Sequence, residues 1–135
     1  MREYKILPAG DTALIVEFGE GIDRRLSRLV LALDQRLNDA KIKGGMDGVV
    51  ETVPTFRSLM VYYDPLVLTA DALKARIDEL MKGLRLTEQA GRVWRLPVCY
   101  HEHLAPDLAE VATRTNLSPA QVVERHSAVN YHVYM

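Results

Sequence analysis

The sequence predicts an α+β fold in which two amphipathic helices back one antiparallel sheet. Three observations carry this. Short apolar runs suited to strands alternate with two longer stretches of helical periodicity. Turn-forming glycine, proline, asparagine and aspartate residues separate them. The two middle strands follow one another across only Pro54-Thr55-Phe56-Arg57.

Ala13-Leu14-Ile15-Val16-Glu17-Phe18 follows the turn formers Gly10-Asp11 and reads as a strand that Gly19 and Gly21 end. Ile22, Leu26, Leu29, Val30, Leu33 and Leu37 then recur at helical spacing, with Arg24, Arg25, Arg28, Asp34 and Arg36 between them. That is an amphipathic helix, with stop signals at Asn38-Asp39 and Gly44-Gly45. Val49–Val53 and Ser58–Tyr63 are the next strands, and Asp64-Pro65 ends the second. Thr69 caps a helix whose apolar face is Leu73, Ile77, Leu80, Met81 and Leu84. Arg92–Val98 supplies a last strand, and Tyr4–Leu7 an extra one at the edge. The order strand, helix, strand, strand, helix, strand fits a ferredoxin-like α/β sandwich. Leu59 to Tyr63 is apolar throughout, so the sheet face away from the helices is expected to meet a second domain or another chain.

The boundaries are 1–95 for this domain and 96–135 for a second, smaller unit. In the latter, Asp107–Thr115 reads as a short helix. Ser118, Pro119 and Gln121 form a capping box that opens another, carrying Val122, Val123 and His126. Asn130–Met135, rich in Tyr and Val, reads as a strand with no hairpin mate.

Composition narrows the function classes. Among 135 residues, 48% hydrophobic and 26% charged side chains mark a globular chain. With 17 basic and 18 acidic side chains, there is no electrostatic case for nucleic acid or an anionic membrane as partner. One cysteine, Cys99, permits no internal disulfide and suits a reducing compartment. The N-terminus lacks a signal-peptide apolar core, and no run approaches the ~18 apolar residues of a membrane span. A cytoplasmic location is the expectation.

Local motifs assemble no catalytic constellation. Gly44-Gly45-Met46-Asp47-Gly48 is glycine-rich but has no lysine and leads into a strand, so a turn outweighs a phosphate loop. His101-Glu102-His103 lacks third and fourth ligands at a recognisable spacing, so a solvated loop outweighs a metal site. Residues 108–126 have the spacing of a helix-turn-helix, yet Glu124 offsets Arg125 and no basic stripe forms. Cys99 ends an apolar strand with no local base, and is expected to be buried and inert.

Five segments in register point further. They are Gly10-Asp11-Thr12-Ala13-Leu14, residues 53–65, Leu96-Pro97-Val98-Cys99-Tyr100, Asp107-Leu108, and His126-Ser127 with Tyr131-His132-Val133-Tyr134-Met135. Together they resemble the KipI/PxpB family, also called allophanate hydrolase subunit 1. The resemblance implies a cyclophilin-like β-barrel after the α/β domain, of which residues 96–135 are the helical start. It implies a PxpB-like component of an ATP-dependent 5-oxoprolinase, inactive alone. In such an enzyme ATP phosphorylates the lactam oxygen and the ring amide is then hydrolysed to glutamate. Implied partners are a KipA/PxpC-type and a LamB/YcsF-type subunit, with ATP in the assembled complex and no cofactor or metal on this chain alone. A histidine-kinase inhibitor and an allophanate hydrolase or urea carboxylase-related component are the alternatives within the same family. The residues carried over are His126, Ser127 and Tyr131 as catalytic, and Arg57 and Ser58 as substrate-binding. Two departures stand out. His101–Pro106 replaces a usually glycine-rich stretch, and the family's continuation past the Tyr-x-Val-Tyr-Met strand is missing. Residues 99–135 are therefore expected either to self-associate, as a homo-oligomer, or to be disordered.

Overall fold

The computed structural model describes residues 4–86 and 91–134. They divide into two compact units, residues 4–86 with Tyr134 and residues 91–133. The first contains β1 (Lys5–Pro8), β2 (Ala13–Glu17), α1 (Arg24–Ile42), β3 (Val49–Pro54), β4 (Ser58–Tyr63) and α2 (Ala70–Met81). The second contains α3 (Leu108–Thr115) and α4 (Pro119–Ser127).

The sheet is antiparallel in the order β1-β2-β4-β3. Its register follows from side-chain alternation, since a slip of one residue would turn the buried set outward. Leu14 lies opposite Val61 and Val16 opposite Leu59, and all four are buried. Leu29, Val30, Leu33 and Leu37 of α1 and Leu73 and Ile77 of α2 join them in one core. Both helices thus cover the same face of the sheet. On the other face Leu7, Ile15, Met60 and Val53 align across the four strands, with Ile15 and Met60 half-buried and the outer two exposed.

α1 starts at Asp23, whose carboxylate accepts from the Arg25 backbone N–H. It runs through the anticipated stop at Asn38-Asp39. Those side chains are tied along the helix instead, Asn38 Nδ2 donating to Asp34 Oδ1 (3.2 Å) and Gln35 Nε2 to Asp39 Oδ1 (2.8 Å). At the far end of α2, the Arg36 guanidinium donates to the Leu80, Lys82 and Gly83 carbonyls at 2.6, 3.2 and 2.9 Å. The Leu80 and Lys82 carbonyls are among those that a helix end leaves without an internal partner, and Gly83 follows the cap. One side chain of α1 thereby fixes the α2 terminus.

Three expectations need correction. Arg92–Val98 is not a strand: no ladder pairs it, and the edge beside β2 is already filled by β1. A strand exists only where its backbone finds a partner, and Pro97 withholds one donor in any case. Residues 130–134 are likewise no strand, for they have no ladder mate, while Met135 lies outside the described residues. Cys99 is exposed, because the strand expected to bury it does not form.

Candidate functional site

The second unit is built on two capped helices. Asn116 ends α3 in the left-handed region (φ 54°), and the Leu117 N–H returns to the Ala112 carbonyl at 3.0 Å. Asparagine is among the few side chains that adopt this conformation readily. α4 then opens on the anticipated capping box. Ser118 Oγ accepts from the Gln121 N–H (3.2 Å), Gln121 Oε1 accepts from the Ser118 N–H (2.9 Å), and Pro119 holds the first helical position. Ala112 is the one buried apolar side chain among the described residues of this unit.

A cleft of about 420 Å³ lies within the unit, lined by Tyr100, Leu104, Pro106, Val111, Val122 and His126. Its polar end is an aromatic cluster. The Tyr100 hydroxyl and His126 Nδ1 are hydrogen-bonded at 2.5 Å, with the rings edge to face at 5.8 Å and 85°. Tyr131 meets the same imidazole at 5.4 Å and 45°. Sequence reasoning singled out His126 and Tyr131, and the fold brings them together. It missed Tyr100, which is 26 residues from its partner. Only its place in the Leu96–Tyr100 segment marked it.

Ser127 is next in sequence but does other work. Its hydroxyl donates to the Val123 and Glu124 carbonyls at 2.8 and 3.2 Å, the back-bonding of a helical serine. With its proton on the helix backbone, Ser127 makes no nucleophile–base pair with His126. Arg57 and Ser58 belong to the first unit, at the β3–β4 turn. Thr55 Oγ1 accepts from the Ser58 N–H (3.0 Å) and the Arg57 N–H (3.3 Å). The Arg57 guanidinium donates to the Glu20 carbonyl (2.8 Å) and lies over the Phe56 ring. Both residues hold the turn.

Two further motifs resolve. Gly44 and Gly48 have φ of 76° and 91°, and Gly48 packs so tightly that a Cβ would sit 2.6 Å from Leu68 Cβ. Gly48 is thus held where the loop enters β3, while Gly44, Gly45 and Asp47 are exposed. His101 and His103 stack at 5.2 Å with Glu102 3.8 Å from the second imidazole. Among the described residues no three histidine, cysteine or acidic side chains converge as metal ligands. None of the described helices is long and apolar enough to cross a membrane.

Residues 4–135 match the carboxyltransferase domain, subdomain C and D. The chain is similar to the B subunit of 5-oxoprolinase from Bacillus subtilis, at 30% identity over 98% of this chain and 58% of that protein. It is also similar to the corresponding 5-oxoprolinase component of Escherichia coli O157:H7, at 33% identity over 99% of this chain and 59% of that one. It thus spans under two thirds of these relatives' length. Among solved structures, the N-terminal domain of the histidine kinase inhibitor KipI from Bacillus subtilis shares the fold. There the TM-score is 0.50, identity is 24%, and coverage is 60% of this chain and 86% of that domain.

Proposed function

This chain belongs to the KipI/PxpB family, which carries the carboxyltransferase domain, subdomain C and D, and from that premise we propose that it is a PxpB-like component of an ATP-dependent 5-oxoprolinase. The observation that carries the reading is its alignment, along nearly its whole length, with two 5-oxoprolinase components of that kind. In this reading the first unit is a ferredoxin-like domain with β1 in the edge position, and the second opens a cyclophilin-like barrel. The partners are a KipA/PxpC-type and a LamB/YcsF-type subunit, in the cytoplasm. ATP is a substrate of the assembled complex.

The chemistry of the second unit supports a shared site. His126, Tyr131 and Ser127 are exposed, as are Trp94, Leu96, Leu104 and Val133. Enzyme sites gain their electrostatic strength by excluding water, and apolar side chains at such density suit a covering surface. The chain is therefore inactive alone. The test is release of glutamate and ADP from 5-oxoproline and ATP. Turnover is expected only when both partner subunits are present. Turnover by the 135-residue chain without them would refute the shared site. A mixture that is inactive, together with capture of a histidine kinase dimerisation domain, would replace this reading by the inhibitor alternative.

A further inference from the structure

We propose that Tyr100 is a positioning residue that locks His126 in one neutral tautomer, so that Nε2 carries the proton and presents a single N–H donor to a carbonyl oxygen of the ligand. The proposal deepens the 5-oxoprolinase reading and rests on it for the identity of that oxygen, the lactam carbonyl.

The Tyr100 hydroxyl and His126 Nδ1 share a hydrogen bond. A phenol donates well and accepts poorly, because its oxygen lone pairs are shared with the ring. The unprotonated nitrogen of a neutral imidazole is a strong acceptor. The phenol therefore donates to Nδ1, and the one imidazole proton resides on Nε2. Ring contacts hold the orientation, with Tyr100 edge-on at 5.8 Å and Tyr131 tilted at 5.4 Å. Turning the imidazole over would replace Nδ1 by a carbon and lose the bond. No described residue is hydrogen-bonded to Nε2, and His126 lines the cleft.

In this tautomer His126 is a donor at Nε2. An Nε2 that bears its proton is no general base at that atom. It is an electrophile, able to polarise a carbonyl as a neutral imidazole does elsewhere in enzymes. Ser127, whose hydroxyl is bound to the α4 backbone, needs no base from it. The cluster is thus built to bind an oxygen acceptor, with Tyr100 acting through His126.

The test reads the imidazole nitrogens directly. The full chain is labelled with nitrogen-15, and long-range proton–nitrogen spectra are recorded at mildly alkaline pH, with His126→Gln assigning the signal. The expected result is one tautomer, with a pyrrole-like Nε2 and an Nδ1 displaced by an accepted hydrogen bond. Tyr100→Phe keeps the ring and the packing but removes the donor. It should abolish the Nδ1 displacement and draw the two nitrogen signals toward an average, while the α4 amide signals stay dispersed. A protonated Nδ1 in the parent chain, or nitrogen shifts unchanged in Tyr100→Phe, overturns the proposal. Lack of turnover in the assembled-enzyme assay would count against the 5-oxoprolinase reading alone and leave the nitrogen shifts standing.

Discussion

Replacing Gly48 by alanine tests the packing of the first unit at its tightest point. Two costs add. At φ 91° an L-residue is strained, by about 1–2 kcal/mol. The new Cβ would also lie 2.6 Å from Leu68 Cβ and 3.3 Å from both Leu68 N and Val67 Cβ. Carbon atoms pack at about 3.5–4.0 Å, so Leu68 would have to retreat by about 1 Å. It is ill placed to do so. Leu68 is buried in the core, its N–H is bonded to the Asp64 carbonyl at 2.9 Å, and the Asp64 N–H to the Gly48 carbonyl at 2.8 Å. Overpacking of this kind costs about 1–3 kcal/mol. The expected loss is about 3 kcal/mol in all. Gly44→Ala is the control, since φ is 76° there but nothing lies within 4 Å of the new methyl. It should show the strain alone, about 1 kcal/mol. Trp94, the single tryptophan, sits in the second unit and not in this core. Hydrogen exchange at the Leu59 and Val61 amides is the better assay. A loss of about 3 kcal/mol should speed exchange there by about 100-fold. Exchange in Gly48→Ala within a few-fold of Gly44→Ala would refute the clash.

Two further substitutions probe single devices. Arg36→Met keeps the aliphatic stem but removes the donors that hold the Leu80, Lys82 and Gly83 carbonyls, and should cost about 1–2 kcal/mol. Faster proteolysis in residues 82–86, with the exchange of β2 little changed, is the signature. Ser118→Ala removes one half of the capping box and should cost α4 about 1 kcal/mol, read as faster exchange of the Gln121 N–H.

What was legible in the sequence was what depends on neighbours along the chain. The periodicity of Leu29, Leu33 and Leu37, the Thr69 cap and the Ser118–Gln121 box are local signals, and each formed as read. The failures concern pairing. Arg92–Val98 has strand-forming composition, but whether a segment joins a sheet depends on a free edge, and β1 had taken it. The burial expected for Cys99 fell with that strand. Likewise, His126 was visible as a lone helical histidine, whereas the Tyr100 hydroxyl across 26 residues was not. No spacing rule encodes a contact that a loop and a helix make in space.

The contrast between the units bears on how such a site could work. The first has a continuous core, so the residues at its β3–β4 turn are fixed by backbone and side-chain bonds of the unit itself. The second offers only Ala112 as a buried apolar anchor among its described residues, and its aromatic cluster is open to water. An N–H donor in water exchanges one acceptor for another at little net gain, roughly 0.5–1.5 kcal/mol. The same donor in a site closed to solvent is worth several times more, because the competing water is gone and the local dielectric falls. Removing an oriented donor of that kind from an enzyme costs roughly 10²–10³ in rate. On the proposed reading, an exposed His126 held in one tautomer by Tyr100 has the orientation that catalysis needs and lacks the enclosure. The 5-oxoprolinase reading supplies that enclosure from the partner proteins, which is why it predicts activity on assembly and none before it.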